Sequence, residues 1–364
     1  MDRDTVAVYE ARAEDWRDAR EARFLDRAAL LSASVRNDGV VADLGCGAGL
    51  HLPHLSRPAI ALDAAYAMVE LARQVAADVP GVVGDLEALP LRRGALGGVW
   101  ARASYLHIAR DRLPQALAEL HHALAVDAYA HLTMMPGEGE GSLPDDDFAG
   151  RFFARWQPDE LGDVLVGAGL EVVDLTRAGG AGDGWIHVLA RRRRTLPDTV
   201  GPRMRLLICG LNPSVYSADA GVGFARPGNR FWPAALAAGI VSRNRDPRHA
   251  LEAHGVGMTD LVKRATPRAD DLTRDEYRDG TARVERLVGW LEPAAVCFVG
   301  LAGWRAAIDR RAKAGEQPNG FGGRPAYVMP STSGVNARVP PADLADHLRA
   351  AAALADDSLN GELR

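Results

Sequence analysis

The sequence predicts two α/β domains, each built on a mostly parallel sheet. Three observations lead there. At 364 residues the chain is longer than one ordinary core of roughly 100–200 residues. Both halves alternate short apolar runs with amphipathic stretches. Between them, RRRRTLPDTVGP (191–202) sets four arginines, two prolines and a glycine after the last apolar run of the first half, a linker composition. Domains are therefore expected over 1–190 and 203–364.

The elements follow from the local patterns. In the first half VVADL, AIALD, GVVGD, GGVWA, AYAHLTMM and WIHVLA read as strands, and AAYAMVELARQVAA and DRLPQALAELHHAL as the helices between them. The acidic, Gly-rich PGEGEGSLPDDDFAG (136–150) reads as a mobile surface loop. In the second half RLLICG, VGM, AVCFVG and AYVMP read as strands. Thr273, with Glu276 three residues on, forms a capping box that opens a helix running to Leu291.

Composition narrows the function classes. The opening MDRDTVAVYEARAEDW is charged throughout and lacks the apolar region of a signal peptide, so a cytoplasmic location is expected. No apolar run approaches the ~20 residues that cross a bilayer. The three cysteines, Cys46, Cys209 and Cys297, are far apart and embedded in apolar runs. They form no zinc or iron–sulfur pattern and read as buried free thiols. Net charge is −5 overall, but residues 1–190 hold 17 Arg, no Lys and 29 Asp+Glu, a net −12, and residues 191–364 carry a net +7. A basic half suits a polyphosphate partner; a solubility role explains a modest excess equally well.

In VADLGCGAG (41–49) a buried strand carries Asp43 near its end and runs into a loop with Gly45, Gly47 and Gly49. Such glycines let backbone approach a ligand closely, and a helix N-terminus is expected to follow. About twenty residues on, AIALD ends in Asp63, placed to accept bonds from ribose hydroxyls. Asp85 of GVVGDLEALP closes a third strand at the same sheet edge, as a ligand contact or as a helix cap. Over 1–190 this set resembles class I S-adenosylmethionine-dependent methyltransferases. The resemblance implies a Rossmann-like sheet in which Gly45, Gly47 and Gly49 accommodate the methionine part of the cofactor. It also implies that Asp63 holds the ribose and that Asp85 with Leu86 lies at the adenine. After the fourth strand the sequence reads GVWARASYLHI, without the Pro-Pro loop of amino-methylating DNA enzymes, and no cysteine follows a proline. The acceptor is left open; Tyr105 and His107 either line its site or belong to the core.

The second half carries GLNPSVYSADAGVGFARPGNRFW (210–232), GVGMTDLVKRATPRADDLTRDEYRDG (255–280) and MPSTSGVNAR (329–338), each after an expected strand. All three should gather at one edge of a parallel sheet. Over 203–355 the Gly-x-Asn-Pro, Pro-Gly-Asn-Arg-Phe-Trp and Met-Pro-Ser-Thr-Ser motifs resemble, in order, mismatch-specific uracil/thymine-DNA glycosylases of the uracil-DNA glycosylase superfamily. That implies a three-layer α/β/α domain in which Asn212, restrained by Pro213, orients the attacking water.

The resemblance also implies that Phe224 stacks on an everted base, unless it is a buried loop anchor. Backbone N–H groups around Gly210 and Gly223 would meet the base carbonyls. Ser331, Thr332 and Ser333 would hold phosphates, and Gly334, Val335 and Asn336 would fill the vacated stack. Relatives carry Leu or Arg at the Val335 position and some carry Asn at Ser331, so the guanine-reading positions depart here from the family pattern. Asp260 stands where relatives place Asn or Lys; it reads as a base-catalytic carboxylate, or as a surface charge or cap beside Lys263.

The expected whole is an S-adenosylmethionine-dependent methyltransferase joined to a glycosylase. The glycosylase would excise uracil, and in one reading thymine, opposite guanine in double-stranded DNA. It would leave an abasic site, since neither of the two lysines, Lys263 and Lys313, is an obvious Schiff-base nucleophile. No metal is expected. Two rivals stand beside this. In one the first domain is a non-catalytic interaction module. In the other the chain is a small-molecule or RNA methyltransferase whose second domain only binds nucleic acid.

Overall fold

The computed structural model describes residues 1–364 except 37–38, 179–183, 335–338 and 363–364. The chain divides into two compact units, Met1–Arg193 and Arg194–Arg364.

In the first unit the strands are β1 (Val40–Leu44), β2 (Ala59–Asp63), β3 (Gly81–Val83), β4 (Leu96–Arg102), β5 (Leu124–Pro136), β6 (Glu140–Ser142), β7 (Phe152–Trp156), β8 (Leu170–Ala178) and β9 (Trp185–Arg192). The main sheet runs β3-β2-β1-β4-β5-β9-β8, parallel as far as β5, with β9 antiparallel to both β5 and β8. This order places the switch of direction between β1 and β4, where an open α/β sheet has its ligand crevice at the strands' carboxyl ends. The helix Leu25–Ser34 sends Ala28 and Leu31 into a core with Val41, Ala59, Ala61 and Trp100.

Three expectations need correction here, and one strand is new. No α-helix follows the glycine loop: Leu52–His54 is a single 3-10 turn with Pro53 in its first positions, and Pro58 stands too soon after it for a helix to extend. The segment 136–150 is not simply a surface loop. β6 pairs antiparallel with β7, and Asp146 is buried against Arg151. Strand β3 ends at Val83, so Asp85 lies beyond it in a short bridge with Ala88. Strand β8 went unread because its polar positions broke up the apolar run.

The second unit holds β10 (Leu206–Gly210), β11 (Val256–Asp260), β12 (Ala295–Val299), β13 (Gly315–Phe321) and β14 (Arg324–Met329), in the order β11-β10-β12-β14-β13. All pairs are parallel except β13 with β14. Strand period builds the three layers. Leu206, Ile208, Ala295, Cys297, Tyr327 and Met329 face one side, toward helices Phe231–Ala238 and Pro341–Glu362. Leu207, Cys209, Val296, Phe298, Ala326 and Val328 face the other. There Val284, Leu287, Val288 and Leu291 supply the helical stripe of Arg274–Leu291. The capping box that starts this helix has Glu276 N–H donating to Thr273 Oγ1 and Thr273 N–H returning to Glu276 Oε2. Strand β13 escaped the sequence reading because GEQPNGF is polar and contains Pro318, which only an edge strand tolerates.

The segment expected as a linker is structured at both ends. Arg191 and Arg192 complete β9, and Thr199 bridges Met258 on the free edge of β11. Asp198 is buried there, accepting from Thr259 Oγ1 at 2.7 Å, Lys263 Nζ at 2.8 Å and Arg283 Nη1 at 2.8 Å. Burial opposes its charge, and Arg283 with Lys263 outweigh that to hold the carboxyl below its usual range.

All three cysteines are buried and unpaired, and burial raises the thiol pKa of each. Among the described residues no helix is long and apolar enough to cross a membrane, and no cluster of three or more His, Cys, Asp or Glu could hold a metal.

Candidate active sites

In the first unit a cleft of about 280 Å³ opens at the carboxyl ends of β1, β2 and β4, lined among others by Asp43, Gly45, Gly47, Asp63 and Trp16. Gly45 and Gly49 both have positive φ and no room for a side chain. A Cβ on Gly45 would meet Ser104 Cβ at 2.2 Å, and one on Gly49 the Ala72 Cα at 2.8 Å. Gly49 thus serves helix–strand packing, while Gly47 lies beneath the Trp16 ring.

Asp63 fixes this loop: its carboxylate accepts from Gly47 N–H at 2.9 Å and Ala65 N–H at 3.0 Å. Asp43 is the unsatisfied member. Its Oδ2 is buried with no hydrogen-bond partner, and burial, then the charge of Asp63, pushes its pKa up to about 8. An orphaned carboxylate oxygen beside a glycine loop fits a ligand that carries positive charge and N–H donors, as the methionine part of S-adenosylmethionine does.

The expected adenine contacts lie outside this lining. Asp85 accepts from the Met1 amino group at 2.9 and 3.0 Å, and the Leu86 side chain is buried, so any contact through Leu86 would be made by its backbone. Tyr105 is fully buried and does not line the cleft, whereas His107 does.

In the second unit the three motif loops meet. A cleft of about 190 Å³ is lined by Asn212, Phe224, Asp260, Ser331, Thr332 and Ser333 together with Gly223. The Asn212 amide nitrogen donates to Thr266 Oγ1 at 2.8 Å, Arg264 C=O at 3.0 Å and Pro213 C=O at 3.3 Å. Two carbonyl acceptors define which end of the amide is nitrogen. Its carbonyl oxygen has no hydrogen-bond partner among the described residues.

Asp260, at the end of β11, overhangs Gly210, where a Cβ would meet Asp260 Oδ1 at 2.4 Å and Phe224 Cζ at 3.4 Å. Gly210 is therefore required for clearance. Gly223 is not, since a Cβ there would touch only Leu196 at 4.0 Å. Burial raises the Asp260 pKa to about 6 even though Lys263 and Arg283 pull it down. Phe224 holds a left-handed backbone, φ 57°, and stacks on Phe231 with centroids 4.2 Å apart, so a core ring backs one of its faces.

Asn229 accepts from Phe231 N–H at 2.9 Å to start the next helix. Arg230 then ties the last motif, its N–H donating to Thr332 C=O at 2.9 Å and its guanidinium to Val339 C=O at 2.5 Å. Thr332 is only 1 % exposed, which leaves Ser331 and Ser333 as the members of the triplet that a phosphate could reach. Gly334 sits against Gly228, where a Cβ would lie 2.8 Å from the carbonyl oxygen. Val335 and Asn336 lie outside the described residues. Sequence reasoning missed Thr266 and the cleft arginines Arg226 and Arg268. Thr266 stood beside Pro267 in a loop with no hydrophobic period to mark it.

Comparison with known proteins gives both units a family. Residues 197–352 match the uracil DNA glycosylase superfamily, and residues 41–127 match a family described as a methyltransferase domain. The chain therefore carries a domain of each kind. Among solved structures it is similar to the 1,6-didemethyltoxoflavin-N1-methyltransferase of Burkholderia thailandensis at 22 % identity, over 52 % of this chain and 88 % of that one, with a TM-score of 0.44. It is also similar to the DhpI–SAH complex, at 22 % identity over 52 % and 96 % with a TM-score of 0.41. A third is the TehB-like SAM-dependent methyltransferase of Corynebacterium glutamicum, at 21 % identity over 51 % and 99 % with a TM-score of 0.40.

Proposed function

We propose that the second unit is a monofunctional DNA glycosylase that removes uracil or thymine opposite guanine in double-stranded DNA, and that the first is an S-adenosylmethionine-dependent methyltransferase. The observation that carries the glycosylase reading is the state of Asn212. Its amide nitrogen is committed to Thr266 and the Arg264 carbonyl, which leaves the carbonyl oxygen to bind water in a cleft shared with Phe224 and Asp260.

N-glycosidic hydrolysis develops positive charge on the sugar and negative charge on the leaving base. An amide oxygen is too weak a base to take the water's proton, so Asn212 supplies orientation. Asp260 supplies the basicity: with its pKa near 6 it is ionised at neutral pH yet still able to accept a proton. Phe224, backed by Phe231, offers an everted base a stacking surface worth about 1–3 kcal/mol. Ser331, Ser333, Arg226 and Arg268 would meet phosphates, fixing register without reading sequence.

When bound, the cofactor of the first unit would supply an electrophilic methyl group. Asp43, Asp63 and the loop of Gly45, Gly47 and Gly49 would hold it, with Trp16 above.

A duplex with one G·U pair, incubated with the full chain and then treated with alkali, tests the glycosylase. Strand scission at the uracil is the expected result, and an intact strand contradicts the reading. Parallel G·T, A·U and single-stranded uracil substrates test the preference for mispairs. Equilibrium binding of S-adenosylmethionine, weakened in Asp63→Ala, tests the methyltransferase.

A further inference from the structure

One group of side chains in the first unit's cleft is not used by cofactor binding. Tyr9 Oη accepts from Arg151 Nη1 at 3.0 Å and lies 2.9 Å from His107 Nε2, while His107 Nδ1 lies 2.6 Å from the Phe152 carbonyl oxygen. Every proton in this chain has only one place to be. A carbonyl only accepts, so Nδ1 carries the imidazole hydrogen. Nε2 is then an acceptor, and the phenol must donate to it, because a guanidinium cannot accept. The phenol oxygen keeps one lone pair. Tyr9, His107 and Arg151 all line the cleft that contains Gly45, Gly47 and Asp63. Arg151 is anchored in turn by Asp146 and by Asp147 at 3.1 Å.

We propose that Tyr9 and His107 form the proton relay of a methyl-acceptor site, and that the acceptor is a small molecule whose accepting atom bears an acidic hydrogen, a phenolic O–H or a heteroaromatic ring N–H. This rests on reading the cleft as a methyltransferase site.

The balance is simple. As the acceptor's oxygen or nitrogen bonds to the methyl carbon and the sulfonium–methyl bond breaks, the acceptor's hydrogen passes to Tyr9 Oη. The phenol's own hydrogen passes to His107 Nε2. After the products leave, the imidazolium returns its proton through Tyr9 to solvent. Thioethers and pyridine-type nitrogens have no hydrogen to donate to Tyr9 Oη, so the relay neither orients nor activates them. Aliphatic alcohols are too weakly acidic for His107, whose basicity burial depresses to a pKa of about 4. A small acceptor follows from the enclosure: Tyr9 and Trp16 from the N-terminal helices, with Leu143 and Phe153 around strands β6 and β7, wall the same cleft of about 280 Å³ that would also hold the cofactor. A purely structural tie is already present, since Phe152 N–H donates to Thr5 Oγ1 at 2.8 Å.

The test supplies the full chain with S-adenosylmethionine labelled in the methyl group and offers four acceptors. 4-Nitrophenol and 4-cyanophenol carry an acidic hydrogen and no basic nitrogen; pyridine and dimethyl sulfide carry no such hydrogen. Calorimetric binding of S-adenosylhomocysteine is measured in parallel. Label should reach the first pair only. Tyr9→Phe and His107→Gln should each lower kcat by about a hundredfold, while the acceptor KM and the affinity for S-adenosylhomocysteine stay near parental values. A solvent deuterium isotope effect on kcat should be present in the parent and absent in Tyr9→Phe. If His107→Gln loses its thermal transition, Tyr9→Phe, which preserves the ring packing, carries the test. Transfer to pyridine or dimethyl sulfide as readily as to the first pair overturns the proposal, as does full activity in a folded variant. Bound S-adenosylhomocysteine with no transfer to either acidic acceptor also overturns it. Failure to bind S-adenosylhomocysteine at all removes the cofactor reading first, and the relay with it.

Discussion

The Asn212 amide nitrogen lies 2.8 Å from Thr266 Oγ1, and that hydroxyl donates in turn to the Arg268 carbonyl at 2.7 Å. The direction of the second bond makes Thr266 an acceptor toward Asn212, so one buried hydroxyl joins the Arg264 and Pro213 carbonyls in holding the orientation of the amide. Thr266→Val keeps the shape and removes the acceptor. It should slow single-turnover uracil release by about tenfold with little change in duplex affinity, and Thr266→Ser should restore most of the rate. An unchanged rate in the valine variant would mean that Pro213 and the Arg264 carbonyl suffice.

Asp260 predicts a pH dependence. Its pKa is raised to about 6, so the carboxylate forms at higher pH than an ordinary aspartate. If the ionised form accepts the proton, the rate should rise through pH 6 and level off above it. Asp260→Asn should lose about tenfold at pH 7.5 and flatten the profile. A profile that keeps its limb near pH 6 in the variant assigns the titration to another group.

Phe224 spends a left-handed backbone conformation on presenting its ring, with Phe231 behind it. Phe224→Leu should weaken productive binding of a G·U duplex by about 1–3 kcal/mol, roughly 5- to 150-fold, and Phe224→Tyr should retain it. Global stability, followed by thermal unfolding, should fall in the leucine variant by less than a core Phe deletion would cost, because one face of the ring does not pack in the core.

Asp43 gives a measurement on the other unit. With a pKa near 8 it is largely protonated at pH 7, and a cationic ligand beside Oδ2 favours the charged form. Binding of S-adenosylmethionine at pH 7 should therefore release a proton. Calorimetry in buffers of different ionisation enthalpy reads that release directly, and Asp43→Asn should abolish it.

Much of this was legible in the sequence where a residue's role is local. The apolar runs gave most of the strands, Thr273 and Glu276 fixed a helix start, and the Gly-x-Asn-Pro, Gly-Asn-Arg-Phe-Trp and Ser-Thr-Ser segments came together in one cleft as their positions after strands implied. What stayed hidden depends on distant partners. Asp198 looked like linker until it met Arg283, 85 positions away. Tyr9 had no visible reason to meet His107, 98 positions away. The glycine loop suggested a helix that Pro58 leaves no room to extend, and Thr332 reads as a surface hydroxyl until its burial is seen. Periodicity reports which face is buried. It does not report which polar group will be waiting there.

The most direct test of the account is single-turnover release of uracil from a G·U duplex by the parent and by Asn212→Ala, with duplex affinity measured alongside. The account predicts a loss of roughly a hundredfold or more in rate at near-parental affinity, since only the orientation of water is removed. Release by Asn212→Ala at the parental rate would contradict it.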